Sequence, residues 1–168
     1  MFKICSRDEI VEIITTFPGH LMIISINDVG QDPPFDVNDP AIGESLVLHF
    51  DDVLEDNEYK NARAMSILDA ATIINFITRH IYDATSKEDC IYVHCGGGVS
   101  RSAAVVAALE EIFEDGGSWK IFENVKYAPN RHVFETMLKA AHFKLCPWQI
   151  DKMFEYNEEL LKESLRAG

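Results

Sequence analysis

The chain has 168 residues, 47% apolar and 10% aromatic, the size and make-up of one packed domain; a disordered, collagenous or coiled-coil chain is excluded. Twenty-eight acidic against 15 basic residues set the formal charge at -13. That field repels phosphate backbones and anionic head groups, so neither nucleic acid nor a membrane is an expected partner.

Along the chain, strand-like and helix-like periods alternate. Ser6 with Glu9 makes a capping box for a helix through Ile10, Ile13 and Ile14. LMIISI (Leu21 to Ile26) follows as a short apolar run that reads as a buried strand. Asn27 to Gly43 holds three prolines and two glycines with no sustained period, which predicts a long surface loop. LVLHF (Leu46 to Phe50) is a second strand. Ile67, Ala70, Ala71, Ile74, Ile77 and Ile81 then share one helical face. CIYVHC (Cys90 to Cys95) is a third strand ending directly at glycines, and SRSAAVVAALEEIF is a strong helix stopped by Gly116 and Gly117. One more helix opens near Pro129 and Asn130, and another runs from Pro147 to about residue 166, where it is expected to pack on the rest of a single domain spanning residues 1–168. The fold class is therefore α/β, a mainly parallel central sheet flanked by helices, and such sheets bind ligands beyond the carboxyl ends of their strands.

Four cysteines, Cys5, Cys90, Cys95 and Cys146, form no CxxC pair and no metal-ligand spacing. Reduced thiols in a cytoplasm fit that sparse usage, with Cys5, Cys90 and Cys146 expected as buried, inert thiols. The remaining histidines, His20, His49, His80, His132 and His142, make no ligand pattern, so no metal or other cofactor is expected. The N-terminus is broken by charges at Arg7, Asp8, Glu9 and Glu12, and no window approaches the roughly 18 apolar residues of a membrane span.

The chemistry concentrates after the third strand. Cys95 is followed by Gly96, Gly97, Gly98, Val99, Ser100, Arg101 and Ser102, then the helix. Three glycines let the backbone turn its N–H groups inward, and the helix N-terminus adds positive potential, which suits a tetrahedral dianion. Arg101 can close such a nest with a two-pronged contact to two oxygens. In that field a thiol is expected to ionise below its ordinary value of about 8.5, which marks Cys95 as a nucleophile.

HCGGGVSRS (His94 to Ser102) resembles the active-site signature of the cysteine-dependent protein tyrosine phosphatase superfamily: His, Cys, five residues, Arg, then Ser or Thr, with a glycine where Gly98 stands. The short chain without a WPD tripeptide is more similar to the dual-specificity branch, and to small bacterial and phage tyrosine-phosphatase-like proteins, which share HFDD and the PN of APNRHVF. The resemblance spans about Leu21 to Leu138 and implies a protein-tyrosine or dual-specificity phosphatase acting on phosphorylated proteins or peptides. It implies Cys95 as the attacking sulfur, phosphate binding by the amides from Gly96 to Arg101 and by the Arg101 guanidinium, a Ser102 hydrogen bond to the departing thiolate, and His94 orienting the loop from behind.

The resemblance also requires a general acid on the loop after the strand that precedes the helix. Asp52 is the first choice, Asp51 the second and Asp56 a residual candidate, while Asp69 falls inside the expected helix. Asp52 lies 43 residues before Cys95, further than is common in that family, so LEDNEYKNAR must absorb extra residues. A rhodanese-like sulfurtransferase shares the Cys and Arg spacing but has no acid. A non-catalytic phosphate reader would lack the Cys, the Arg or the acid, and all three are available here. A lipid phosphatase would place lysines in the loop, and GGGVS has none.

Overall fold

The computed structural model describes residues 2–17, 19–57, 61–83, 90–114 and 116–167. In chain order it has β1 (Phe2–Cys5), α1 (Arg7–Thr16), β2 (Leu21–Asn27), β3 (Ile42–His49), α2 (Ile67–Asp83), β4 (Ile91–His94), α3 (Arg101–Phe113), α4 (Trp119–Phe122), α5 (Arg131–Ala140) and α6 (Pro147–Ala167). The four strands form one parallel sheet in the order β1-β4-β2-β3.

Alternation along β2 divides the core. Leu21 and Ile23 face the cluster made with Ile10 and Ile14 of α1, while Ile24 and Ile26 face the larger cluster that contains α3 and α5. Each fully buried isoleucine contributes on the order of 1.5–3 kcal/mol, so the C-terminal end of β2 is firmly held. Ser25 on β2 is the register partner of His94 on β4. The chain crosses over between these two strands, so the crevice at their carboxyl ends is the topological switch point where ligands of such sheets bind.

Helix α3 is buried from Arg101 to Glu111. Ala103, Ala104, Ala107 and Ala108, all fully buried, let the sheet and α5 approach its backbone closely. Helix α6 carries a buried Met153, sets Phe154 edge-on to Phe122 and Phe134, and has Asn157 donating to the carbonyls of Phe122 and Tyr127. Among the described residues no helix is long and apolar enough to cross a membrane.

Several elements differ from expectation. β1 was not foreseen, because four residues with Lys3 among them carry too little periodicity to register as a strand. β3 begins at Ile42 rather than Leu46, across a polar Gly43–Ser45 stretch that pairing with β2 keeps extended. The loop after β2 is less superficial than its composition suggests, since Phe35 packs against the α1-side core and sets its ring edge-on to His94. Cys5 is buried, but Cys90 is half-buried and Cys146 exposed. A cavity of about 690 Å³ opens along the outer edge of β1, lined by Phe2, Lys3, Ile4, Tyr92, Lys120 and Tyr127 and by none of the residues from 95 to 101.

Candidate active site

β4 ends at the switch point and hands the chain to the 95–101 loop. Cys95 is 3% exposed, and its Sγ lies 3.2 Å from Ser102 Oγ in the first turn of α3. Of the three glycines, Gly98 is the one the geometry requires. Its φ is +67°, and a Cβ there would come within 2.7 Å of the Cys5 carbonyl carbon and the Ser6 nitrogen. Gly96 and Gly97 have φ outside the left-handed region, and a Cβ on either would meet only ordinary contacts. The Arg7 N–H donates to the Gly96 carbonyl at 3.0 Å, so the end of β1 and the start of α1 support the loop from beneath.

Ser100 stands at the N-cap of α3 without capping it. Its hydroxyl instead donates to Asp52 Oδ1 at 2.8 Å. The first amides of α3 are thus left without a side-chain acceptor, and in an α-helix these N–H groups have no intrahelical partner. Arg101 follows, buried, with NH1 donating to the Phe50 carbonyl at 2.7 Å and lying 2.6 Å from Asp28 Oδ1. Its Nε is buried without a hydrogen-bond partner, and its NH2 lies 3.6 Å from where a Gly96 Cβ would stand. NH1 is therefore the anchored prong, while Nε and NH2 form the edge of the guanidinium that can grip two oxygens of one anion.

His94, fully buried, has Nε2 2.8 Å from Ser25 Oγ. Asn27 Nδ2 donates to the same oxygen at 2.9 Å, and Arg7 NH1 donates to Asn27 Oδ1 at 3.0 Å, which orients the amide. Burial pushes the His94 pKa down to about 4; the Arg7 and Arg101 charges add to this, and the nearby Cys95 backbone opposes it. The imidazole is thus neutral at physiological pH. It can orient the loop, while the positive field at Cys95 is left to Arg101 and the backbone amides. Cys5, behind the loop, is held as a thiol: burial pushes its pKa up to about 12, with the charges of Glu9 and Cys95 adding to that.

The four acid candidates separate by what their oxygens touch. Asp52 is joined to the 95–101 loop through Ser100, and Asn130 Nδ2 also donates to its Oδ1 at 2.8 Å. Asp51 is occupied elsewhere, accepting from the Val29 N–H at 3.2 Å and the Arg63 N–H at 2.8 Å. Asp56 accepts from the Ala64 N–H at 2.8 Å. Asp69 pairs with Arg63 at 2.6 Å and accepts from Ser66. Asp51, Asp56 and Asp69 therefore brace the 51–66 segment. Within the LEDNEYKNAR stretch Asn57 and Ala62 exchange both backbone hydrogen bonds, and residues 58–60 lie outside the described residues.

Arg7, Ser25, Asn27 and Asp28 belong to the same site and were not foreseen. Asn27 and Asp28 stand at the carboxyl end of β2, so the strand-end rule that led to Cys95 was also their signal. Among the described residues, no group of three His, Cys, Asp or Glu side chains could hold a metal ion.

No protein-family model matches the sequence, and no curated protein matches it. Solved structures do match the fold. PTPMT1 in complex with PI(5)P is similar at TM-score 0.50 and 16% identity, over 100% of this chain and 95% of that one. Human DUSP28 matches at TM-score 0.46 and 12% identity, over 97% and 94% of the two chains. Tk-PTP in its active form matches at 0.44 and 15%, over 96% and 90%. The fold is protein tyrosine phosphatase-like, the one this chain shares with PTPMT1.

Proposed function

We propose that the protein is a phosphomonoester hydrolase that removes phosphate from phosphotyrosine in proteins or peptides, with phosphoserine and phosphothreonine as further substrates, through a phosphocysteine intermediate. The observation that carries this reading is the hydrogen bond from Ser100 to Asp52. It joins a carboxyl group 43 residues upstream to the loop that presents Cys95 and Arg101.

In the proposed reaction the Cys95 sulfur attacks phosphorus as the bond to the leaving oxygen breaks. The N–H groups from Gly96 to Arg101, including those of Val99 and Ser100, and the free edge of Arg101 hold the equatorial oxygens. Asp52, entering protonated, gives its proton to the leaving oxygen. It then takes a proton from water as that water displaces sulfur from phosphorus, and Ser102 donates a hydrogen bond to the departing thiolate. His94 holds the loop from behind. No metal or cofactor takes part, and the compartment proposed is a reducing cytoplasm, where Cys95 stays a free thiol.

A second reading is a phosphoinositide substrate, because one solved structure of this fold holds PI(5)P. The loop weighs against it, having no cation between Cys95 and Arg101 to meet a further phosphate, as does the formal charge of -13. Hydrolysis of p-nitrophenyl phosphate in the presence of a chelator, followed by a panel of phosphotyrosine, phosphoserine and inositol phosphates, tests both. The expected result is metal-independent turnover, abolished in Cys95→Ser, with phosphotyrosine peptides preferred. Turnover that persists in Cys95→Ser, or needs added metal, contradicts the mechanism; preference for an inositol phosphate moves the substrate to the second reading.

A further inference from the structure

Asp28 Oδ1 lies 2.6 Å from Arg101 NH1, a contact the proposed reaction does not use. Its placement is built from three sides. Gly30, at φ +81°, permits the 28–31 turn, which the Gln31 N–H closes onto the Asp28 carbonyl at 3.0 Å. Arg7 holds the turn from α1 by donating to Asn27 Oδ1, to Gln31 Oε1 at 3.3 Å and to the Asp32 carbonyl at 2.8 Å. Asp51 holds it from the other side through the Val29 N–H.

Orientation alone does not require a charge here. The Phe50 carbonyl already accepts from the same nitrogen at 2.7 Å. What Asp28 adds is a negative charge shared with the guanidinium that faces the loop. A phosphate dianion bound by Arg101 would sit in the field of that carboxylate, which offsets part of the arginine's attraction. Asp28 is 53% exposed, so solvent and salt screen the effect to a moderate size.

We infer that Asp28 is a positioning residue of Arg101 whose charge weakens the grip of the loop on bound phosphate, so that the product inorganic phosphate leaves readily. The inference rests on the phosphate-ester reading above. Asp28→Asn isolates the charge, because its amide oxygen still accepts from NH1, and Asp28→Glu restores the charge on a longer stem. Asp28→Ser removes the charge with a smaller side chain and gives a second reading of the same sign.

The test is calorimetric titration of inorganic phosphate into the full chain at about 20 mM and about 300 mM ionic strength. Asp28→Asn and Asp28→Ser are expected to bind phosphate about three- to tenfold more tightly than the wild type at low salt, a gap that narrows at high salt. Asp28→Glu is expected to bind like the wild type. Unchanged or weaker binding in the neutral variants overturns the inference, because breaking a purely structural ion pair loosens Arg101 and weakens binding. A wild type that binds phosphate while the neutral variants do not move removes only the role of Asp28. One that neither binds phosphate nor hydrolyses p-nitrophenyl phosphate removes the underlying reading.

Discussion

Gly98, the glycine that the signature resemblance singles out, carries more of the loop than its two neighbours. A side chain there meets two penalties together: about 1–2 kcal/mol for the left-handed backbone conformation and a backbone contact at 2.7 Å with the end of β1. Gly98→Ala is therefore expected to lose more than about 2 kcal/mol of stability in denaturant unfolding, with Gly97→Ala within about 1 kcal/mol of the wild type. Equal losses in the two variants would contradict this account of the loop. The signature marks Gly98 in the sequence, but the reason was not legible there, because what crowds Gly98 is Cys5 and Ser6, more than ninety residues away in the chain. Cys95, Arg101 and Ser102 were legible because they fall together in one short stretch, a strand end, a tight loop and the first turn of one helix.

At the scale of elements, the N-terminus of α5 performs two tasks with one side chain. Asn130 caps the helix by accepting from the Val133 N–H at 3.1 Å, and its amide nitrogen donates to Asp52 Oδ1. Both hydrogen bonds to Asp52, from Ser100 and from Asn130, fall on this one oxygen. Its acceptor capacity is filled, so the proton of the acid form belongs on Oδ2. Asn130→Ser keeps a good capping residue and deletes the donor to Asp52. Its stability is expected to stay within about 1 kcal/mol of the wild type, while turnover of aryl phosphates with poor leaving groups falls about tenfold more than turnover of p-nitrophenyl phosphate. An equal fall for both kinds of substrate, tracking a loss of stability, would reduce Asn130 to a helix cap. In the sequence the PN dipeptide marks a helix start, with Asn130 either a brace for the site or an ordinary cap; its reach to Asp52 depends on how α5 sits against the 51–53 segment, and no local pattern encodes that.

For the whole molecule, the sheet order β1-β4-β2-β3 explains which parts of the site the sequence could reveal. Placing β4 between β1 and β2 brings Arg7, Ser25, Asn27 and Asp28 around a loop to which they are not close in sequence. Strands with strong apolar runs, β2 and β4, were readable from hydrophobic content, and α2 and α3 from period and stop signals. β1 and the single-turn α4 were not, because their stability comes from packing against these longer elements. The formal charge of -13 makes the local site more demanding, since an arriving dianion must find its attraction locally, from Arg101, the loop amides and the end of α3. The central claim is that this one loop supplies the nucleophile while Asp52, drawn to it through Ser100, supplies the proton. Turnover of Asp52→Asn against a series of aryl phosphates of rising leaving-group pKa tests it most directly. Help from a general acid is worth about a hundredfold to ten-thousandfold, so the account predicts a loss in that range for phenolate-like leaving groups, shrinking as the leaving group becomes able to depart without a proton. A loss independent of the leaving group, or a nearly silent Asp52→Asn beside an Asp51→Asn that shows the leaving-group dependence, would contradict it.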